Sequence, residues 1–366
     1  MDDVKLDRKD GVFAAGMIAE LMRRGEITGA SPSRLQPASL DLTLGTRAWR
    51  VRASFLPSRA RTVAARLDDG LVMNAFSLKG GVVFERGCVY LVELNERLRL
   101  PADVSGAANP KSSTGRIDVF VRLVTDHGAA FDEVPAGYDG PLYAEISPRT
   151  FSIFARTGSS LNQLRLKRGD FRLDDDALRA LDKESPLVDG DSDIDGGLGL
   201  SVSLKTDDAI IGWRARRHSG LIDVDQPGAL DANDFFEPLG SQKSGFIILD
   251  PDEFYILASK EALVIPPDYA AEMTPINPGL GEFRVHYAGF FDPGFGWSAE
   301  RAGGGANGSR AVLEVRSHDA PFVLEDGQLV ARLVYERMAK RPEQLYGADV
   351  KSNYQGQGLK LSKHFR

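Results

Sequence analysis

Two periodicities divide the chain. From Gly11 to Gly25 (GVFAAGMIAELMRRG) the apolar residues Phe13, Met17, Ile18 and Leu21 recur at helical spacing and Gly25 supplies a stop, which predicts an amphipathic helix packed on a sheet. From Ser39 onward the pattern turns to alternation. SLDLTLG sets Leu40, Leu42 and Leu44 on one face and Asp41 and Thr43 on the other, with Gly45 closing the run. Further strands are predicted at 81–85, 88–94, 117–124, 141–146 and 151–155. With 38 glycines, 19 prolines and short aromatic or β-branched runs, the chain reads as many short strands joined by tight turns. The expected fold class is all-β with a few short helices.

Residues 166–199 interrupt this pattern with an acidic stretch, KRGDFRLDDDALRALDKESPLVDGDSDIDGG, which holds one short helical segment at 174–183 and reads as a connector. Beyond it the first half recurs. TRAWRVR (46–52) is echoed by IGWRARR (211–217), so that Trp49, Arg50 and Arg52 fall on Trp213, Arg214 and Arg216. The segment 82–110 lies over 247–275 without a gap, with Tyr90/Tyr255, Glu96/Glu261, Leu98/Leu263, Pro101/Pro266, Asp103/Asp268 and Pro110/Pro275 identical. LYAEI (142–146) falls on AVLEV (311–315), superposing Glu145 on Glu314, and Leu164 lands on Leu333. A tandem duplication follows. The expected organisation is an N-terminal helix plus first copy at 1–166, a connector at 167–199, a second copy at 200–338 and a C-terminal tail at 339–366.

Bulk chemistry narrows the function classes. At 366 residues the chain exceeds what one core needs. The net charge of −7 provides no global basic field for a nucleic-acid polymer or an anionic membrane, so any phosphate site must be local. A single cysteine, Cys88, excludes an intrachain disulfide and argues against a cysteine-rich metal site. No apolar run approaches a membrane span and MDDVKLDRKDG is too charged for a signal peptide, so a cytoplasmic protein is expected.

Three segments carry candidate chemistry. NPKSSTGR (109–116) places Lys111, Ser112, Ser113, Thr114 and Arg116 around Gly115, and hydroxyls, backbone N–H groups and two cations in one turn suit a polyphosphate. A plain polar turn reads equally from the residues, and the Walker spacing is missing. The second copy has TPINPGLG (274–281) here, without the serine pair or the cations. HYAGFFDPGFG (286–296) surrounds an Asp292-Pro293-Gly294 turn with Phe290, Phe291 and Phe295, which would stack on a flat base or simply fill a core. Glu145 and Glu314 interrupt apolar strands, either exposed on the polar face or desolvated with a raised pKa suited to proton transfer. The tail YGADVKSNYQGQGLKLSKHFR (346–366) is too polar for a core and reads as a disordered end or a lid over a ligand. The zinc-deaminase signature H-x-E…P-C-x-x-C is absent.

Together these segments resemble the zinc-free dCTP deaminases of the dUTPase-like superfamily. QPASLDLTLG (36–45) is similar to the family's early strand, KSSTGR to its R-S-S-x-x-R motif with Lys111 for the usual Arg, and AGFFDPGFG to its pyrimidine-binding hairpin. AVLEV resembles the strand bearing the catalytic Glu, VLEDGQLVARLVYERM (323–338) the strand pair after it, and YGADVKSNYQGQG the closing tail. The chain departs from the family in carrying two copies of the fold, and in having Asn353 before Tyr354 where a Lys is usual.

The resemblance implies two distorted β-barrel or jelly-roll copies and hydrolysis of dCTP to dUTP and ammonia. Family subunits build each site at a trimer interface, with the Ser-Ser-Arg turn from one subunit and the hairpin and Glu from its neighbour. Here it implies one complementary site per chain, from the two copies. Glu314 is then the expected base, Ser112 and Arg116 its catalytic partners, and Glu145 a relic or the alternative base. Lys111, Ser113, Thr114, Gly115, Ala288, Phe290, Asp292, Val312, Leu313, Gln328, Tyr346, Lys351, Tyr354 and Gln357 are the implied substrate contacts. No tightly bound cofactor and no zinc are expected, with Mg²⁺ arriving on the nucleotide and a homo-oligomer as the assembly. The alternatives are a dUTPase or bifunctional enzyme, a non-catalytic nucleotide sensor, and a structural β-trimer.

Overall fold

A computed structural model describes residues 10–206, 209–241, 244–276, 283–286, 289–298, 308–317, 319–347 and 359–366, the strand 283–286 by its backbone alone. The chain divides into two compact units, one of Met1–Phe171, Gly220–Gly228 and Met338–Glu343, the other of Arg172–Ser219, Ala229–Arg337 and Gln344–Arg366. Each is built mainly from β-strands, as the alternation predicts.

In the first unit one sheet runs Glu133–Val134, Val104–Pro110, Asn162–Arg168, Ser39–Asp41, Leu35–Gln36, and a second runs Val119–Thr125, Asp139–Pro148, Val89–Arg99, Leu44–Val51, Val72–Ser77. The second unit repeats the plan with Leu198–Ser201, Leu329–Arg337, Tyr269–Pro275, Phe290–Phe291, and with Phe236–Gly240, Ile210–Ala215, Tyr255–Leu263, Ser309–Ser317, Phe283–His286. The registers coincide with the internal alignment. Trp49 pairs with Leu91 and Trp213 with Ile256, while Glu145 pairs with Leu91 and Glu314 with Ile256.

Polar details recur too. Thr43 donates from its N–H and hydroxyl to Glu96 (2.9 and 2.7 Å), and Ser201 donates likewise to Glu261 (2.9 and 2.5 Å). Burial nonetheless pushes the Glu96 carboxyl above its ordinary range. The Tyr90 hydroxyl accepts the Glu85 N–H and the Tyr255 hydroxyl the Asp250 N–H, both at 3.0 Å.

Two sequence readings are corrected. Gly11–Val12 is a strand pairing with Lys167 and Arg168, and the helix spans only Ala15–Arg23. Gly11 adopts φ 147°, and a Cβ there would stand 2.2 Å from Ala339 N, so close backbone approach rather than helical spacing decides this residue. Around Leu40, both faces are inside: Asp41 and Thr43 are buried along with the leucines beside them.

The acidic segment is structural in detail. Its helix, Asp175–Glu184, buries Leu178 and Leu181 in the core of the second unit, and Asp174 caps it by accepting from Ala177 N at 2.8 Å. Asp175 accepts the N–H groups of Gly196 and Gly197, which hold its carboxyl below the ordinary range. Asp182 accepts from Leu187 N and Asp189 from Ala262 N. These carboxylates satisfy backbone donors at a helix start, in loops and at a strand irregularity. No helix among the described residues is long and apolar enough to cross a membrane.

Candidate active site

Pro110 ends a strand and Lys111 caps the single helical turn Ser112–Gly115. The N–H groups of Thr114 and Gly115 return to the Lys111 carbonyl (2.8 and 3.0 Å) and that of Arg116 to Ser112 (3.1 Å), so these donors close the turn rather than face a ligand. Ser112 is exposed, whereas Ser113, Thr114, Gly115 and Arg116 are buried. Lys111 Nζ forms an ion pair with the buried Asp41 carboxylate, a partner the alternating pattern of SLDLTLG did not single out. Asp118, in left-handed backbone at φ 54°, anchors the far end by accepting from Thr150 Oγ1 (2.5 Å) and, through its carbonyl, from Arg149 N (2.9 Å).

Neither glutamate is exposed, which removes the surface reading of both: Glu145 is 3% and Glu314 5% accessible. Their surroundings differ. Glu145 Oε1 accepts from Arg122 Nη2 at 2.5 Å and Nε at 3.1 Å, and the Arg122 guanidinium lies 3.8 Å from the Phe131 ring centroid. The Glu145 carboxylate is thus committed to an ion pair with Arg122. At the matching register position, Glu314 pairs with His286 on Phe283–His286. Sequence reading missed both Arg122 and His286, because which residue stands across a sheet depends on a register that one chain in isolation does not declare.

Strand alternation turns Val312 and Glu314 away from Leu313, which is fully buried in the core of the second unit. Leu313 therefore offers a ligand its backbone only. In the hairpin, Phe291 and Phe295 pack edge to face at 5.0 Å inside the same core, so their aromatic content is structural, while Phe290 is half-buried. Asp292 is buried and its carbonyl accepts from Phe295 N at 3.1 Å to close the turn. Gly294, at φ 96°, lies against Leu345 and Tyr346. A Cβ would meet Leu345 Cβ at 2.9 Å. Tyr346 donates its N–H to Pro293 O (2.9 Å) and tilts its ring against Phe295 at 5.8 Å, so the start of the tail is tied to the hairpin. Gln328 folds back, its Oε1 accepting from Glu325 N at 3.1 Å. Ala288, Lys351, Tyr354 and Gln357 lie outside the described residues.

Comparison with known proteins bears on what this arrangement serves. The family model for the 2'-deoxycytidine 5'-triphosphate deaminase (DCD) N-terminal domain matches residues 9–170, and that for the C-terminal domain matches residues 174–365. The chain belongs to the 2'-deoxycytidine 5'-triphosphate deaminase family. A crystal structure of 2'-deoxycytidine 5'-triphosphate deaminase from Agrobacterium tumefaciens is similar at 49% identity and a TM-score of 0.85, over 90% of this chain and 100% of the other. A dCTP deaminase of Haloarcula marismortui is 27% identical over 199 residues, 52% of this chain and 92% of its own length. A dUMP-forming dCTP deaminase of Coprothermobacter proteolyticus is 29% identical over 143 residues, 37% of this chain and 70% of its own. Family domains thus cover residues 9–170 and 174–365, and shorter relatives match about half of the chain or less.

Proposed function

We propose that this enzyme hydrolyses dCTP to dUTP and ammonia, with Glu314 as the general base and the Lys111–Arg116 turn as the polyphosphate cradle. Membership of the family supports the reaction. The observation that supports the assignment of the base is the ion pair that commits Glu145 to Arg122.

In the second unit, Glu314 removes a proton from water, and hydroxide attacks C4 of the cytosine. Glu314 delivers that proton to N3, where it stays, and then carries the proton of the new C4 hydroxyl to the exocyclic nitrogen, so that the C4–N bond breaks and ammonia leaves behind uracil with its C4 carbonyl and N3–H. Positioned proton transfer of this kind contributes roughly 10²- to 10⁴-fold. Ser112, the exposed hydroxyl of the turn, orients the water, and Arg116 offsets charge developing on the attacked ring. The side chains of Lys111, Ser113 and Thr114 hold the triphosphate, with Gly115 shaping the turn, and the triphosphate arrives with Mg²⁺ as part of the substrate. Phe290 and the backbone around Ala288 and Val312 receive the base, and Tyr346, Lys351, Tyr354 and Gln357 close over the phosphates. A cytoplasmic homo-oligomer belongs to the same reading, without a nucleic-acid partner, for which the net charge of −7 provides no attractive field.

A second reading has one observation in its favour: the Coprothermobacter relative is named dUMP-forming. Incubation of the purified chain with dCTP and Mg²⁺, with resolution of products by ion exchange, separates the two. A dUTP peak with stoichiometric ammonia supports the deaminase, and dUMP with pyrophosphate the bifunctional enzyme. No turnover of dCTP rejects both and leaves a nucleotide-binding protein.

A further inference from the structure

Beside the Lys111–Arg116 turn lies a buried amide that the proposed chemistry does not use. Asn162 opens the strand Asn162–Arg168 directly across from Pro110, and the carbonyl of the preceding Leu161 accepts from Lys111 N at 2.9 Å. Asn162 is 1% exposed, yet neither Nδ2 nor Oδ1 of its side chain has a hydrogen-bond partner. Two residues earlier, Ser160 Oγ is buried in the same state. Leu164 and Leu166 continue the same face of the strand into the core, so Asn162 ends an apolar row at the point where the turn begins. Buried amides left without partners are disfavoured and rare, and one that persists calls for a ligand or a function.

The duplication supplies an internal control. Across from Pro275, in the position matching Asn162, the second unit has Ala331, fully buried in its core. The fold therefore accepts a methyl group here without loss. The residue after Pro275 is Ile276 where the first unit has Lys111, and Gly199 stands at the register position of Asp41. Three neighbouring polar residues are thus present together in the unit that keeps the KSSTGR turn, and are apolar or glycine together in the unit that has lost it.

We infer that Asn162 is a polyphosphate-binding residue of the first unit, its Nδ2 donating to a phosphate oxygen of the nucleotide cradled by Lys111–Arg116. The identity of that nucleotide rests on the function proposed above. The amide is neutral, so it adds a directed donor beside the Lys111 charge without competing for the Asp41 carboxylate.

The test uses the full chain with Asn162→Ala, which copies the second unit, and with Asn162→Asp, which keeps the shape and adds negative charge. Calorimetric titration with inorganic tripolyphosphate is run beside dCTP kinetics and inhibition by deoxycytidine, which lacks phosphates. Asn162→Ala is expected to melt no lower than wild type, to raise KM for dCTP and the tripolyphosphate Kd together by about tenfold, one hydrogen bond to a charged acceptor, and to leave kcat and the deoxycytidine Ki within twofold. Asn162→Asp is expected to weaken tripolyphosphate further. An Asn162→Ala chain that melts lower while tripolyphosphate binds unchanged would make the amide structural and overturn the inference. So would a wild type that fails to bind tripolyphosphate. If the wild type binds tripolyphosphate through Asn162 but never deaminates dCTP, the proposed reaction fails and the inference stands.

Discussion

In the first unit a buried glutamate on Asp139–Pro148 meets an arginine across the sheet, whereas in the second the matching glutamate on Ser309–Ser317 stands opposite a histidine. Around these positions the two units use one plan: the same register between the glutamate strand and its neighbour, the same tyrosine-to-backbone bond, and a matching glutamate receiving a hydroxyl and an N–H. The duplicated scaffold was therefore retained while the chemistry-bearing positions separated. The first unit holds the serine-rich turn, Lys111, Asp41 and Asn162. The second holds the Asp-Pro-Gly hairpin and a glutamate that stands opposite His286 in the strand register.

The strongest way to break this comparison is to remove each carboxylate charge in turn. Glu314→Gln is expected to lower kcat by roughly 10²- to 10⁴-fold, the range for a lost general base. Glu145→Gln is expected to stay within about twofold, because its oxygen can still accept from Arg122 and no proton transfer is asked of it. Steady-state dCTP kinetics on the two variants decide the matter, and the reverse ranking would move the base to the first unit.

A smaller effect is expected from the arginine. Arg122→Met leaves Glu145 buried without its counter-charge, which favours unfolding. The Arg122 side chain is 35% exposed, so the expected loss, roughly 2 kcal/mol, falls below that of a fully buried pair. For a unit of this size that is a drop of about 5 °C in Tm. Scanning calorimetry checks it, and in the double variant Arg122→Met/Glu145→Leu most of the loss should return, since two apolar groups then replace a broken pair.

Much of the scaffold was legible from sequence because it depends on local pattern. Alternation located Asp139–Pro148 and Ile153–Ala155, and the gapless match of 82–110 with 247–275 anticipated the shared register of Trp49/Trp213 and Glu145/Glu314. The Lys111–Asp41 and Arg122–Glu145 pairs were not legible, since their partners are 70 and 23 residues apart and meet only through sheet pairing. Asn162 was invisible for a different reason. A lone asparagine before a strand reads as a turn residue, and only the absence of hydrogen-bond partners in the folded unit sets it apart. Phe291 and Phe295 were left open between a binding and a core role by the sequence. Their clustering around a turn invited a binding role, but burial assigns them to the core.

The finest test of the comparison asks whether the scaffold is as equivalent energetically as it is geometrically. Tyr90 and Tyr255 each accept one backbone N–H at 3.0 Å from a residue five positions earlier, Glu85 or Asp250, and both rings are buried. Burial pushes both hydroxyls above the ordinary tyrosine range, so each is a neutral acceptor at physiological pH. Replacing either by Phe keeps the ring and removes the acceptor, which leaves an N–H partly exposed to water. Each change should therefore destabilise by about 1 kcal/mol, near the net worth of one hydrogen bond, with no effect on kcat. Urea denaturation of the two single variants and the double variant reads this directly. Equal, additive losses would mean that the units keep one scaffold and differ only where Asp41, Lys111, Asn162 and Arg122 differ. A loss at Tyr90 several times that at Tyr255 would mean instead that the second unit has loosened its framework along with its phosphate turn, and that the asymmetry between the glutamates is part of a wider divergence.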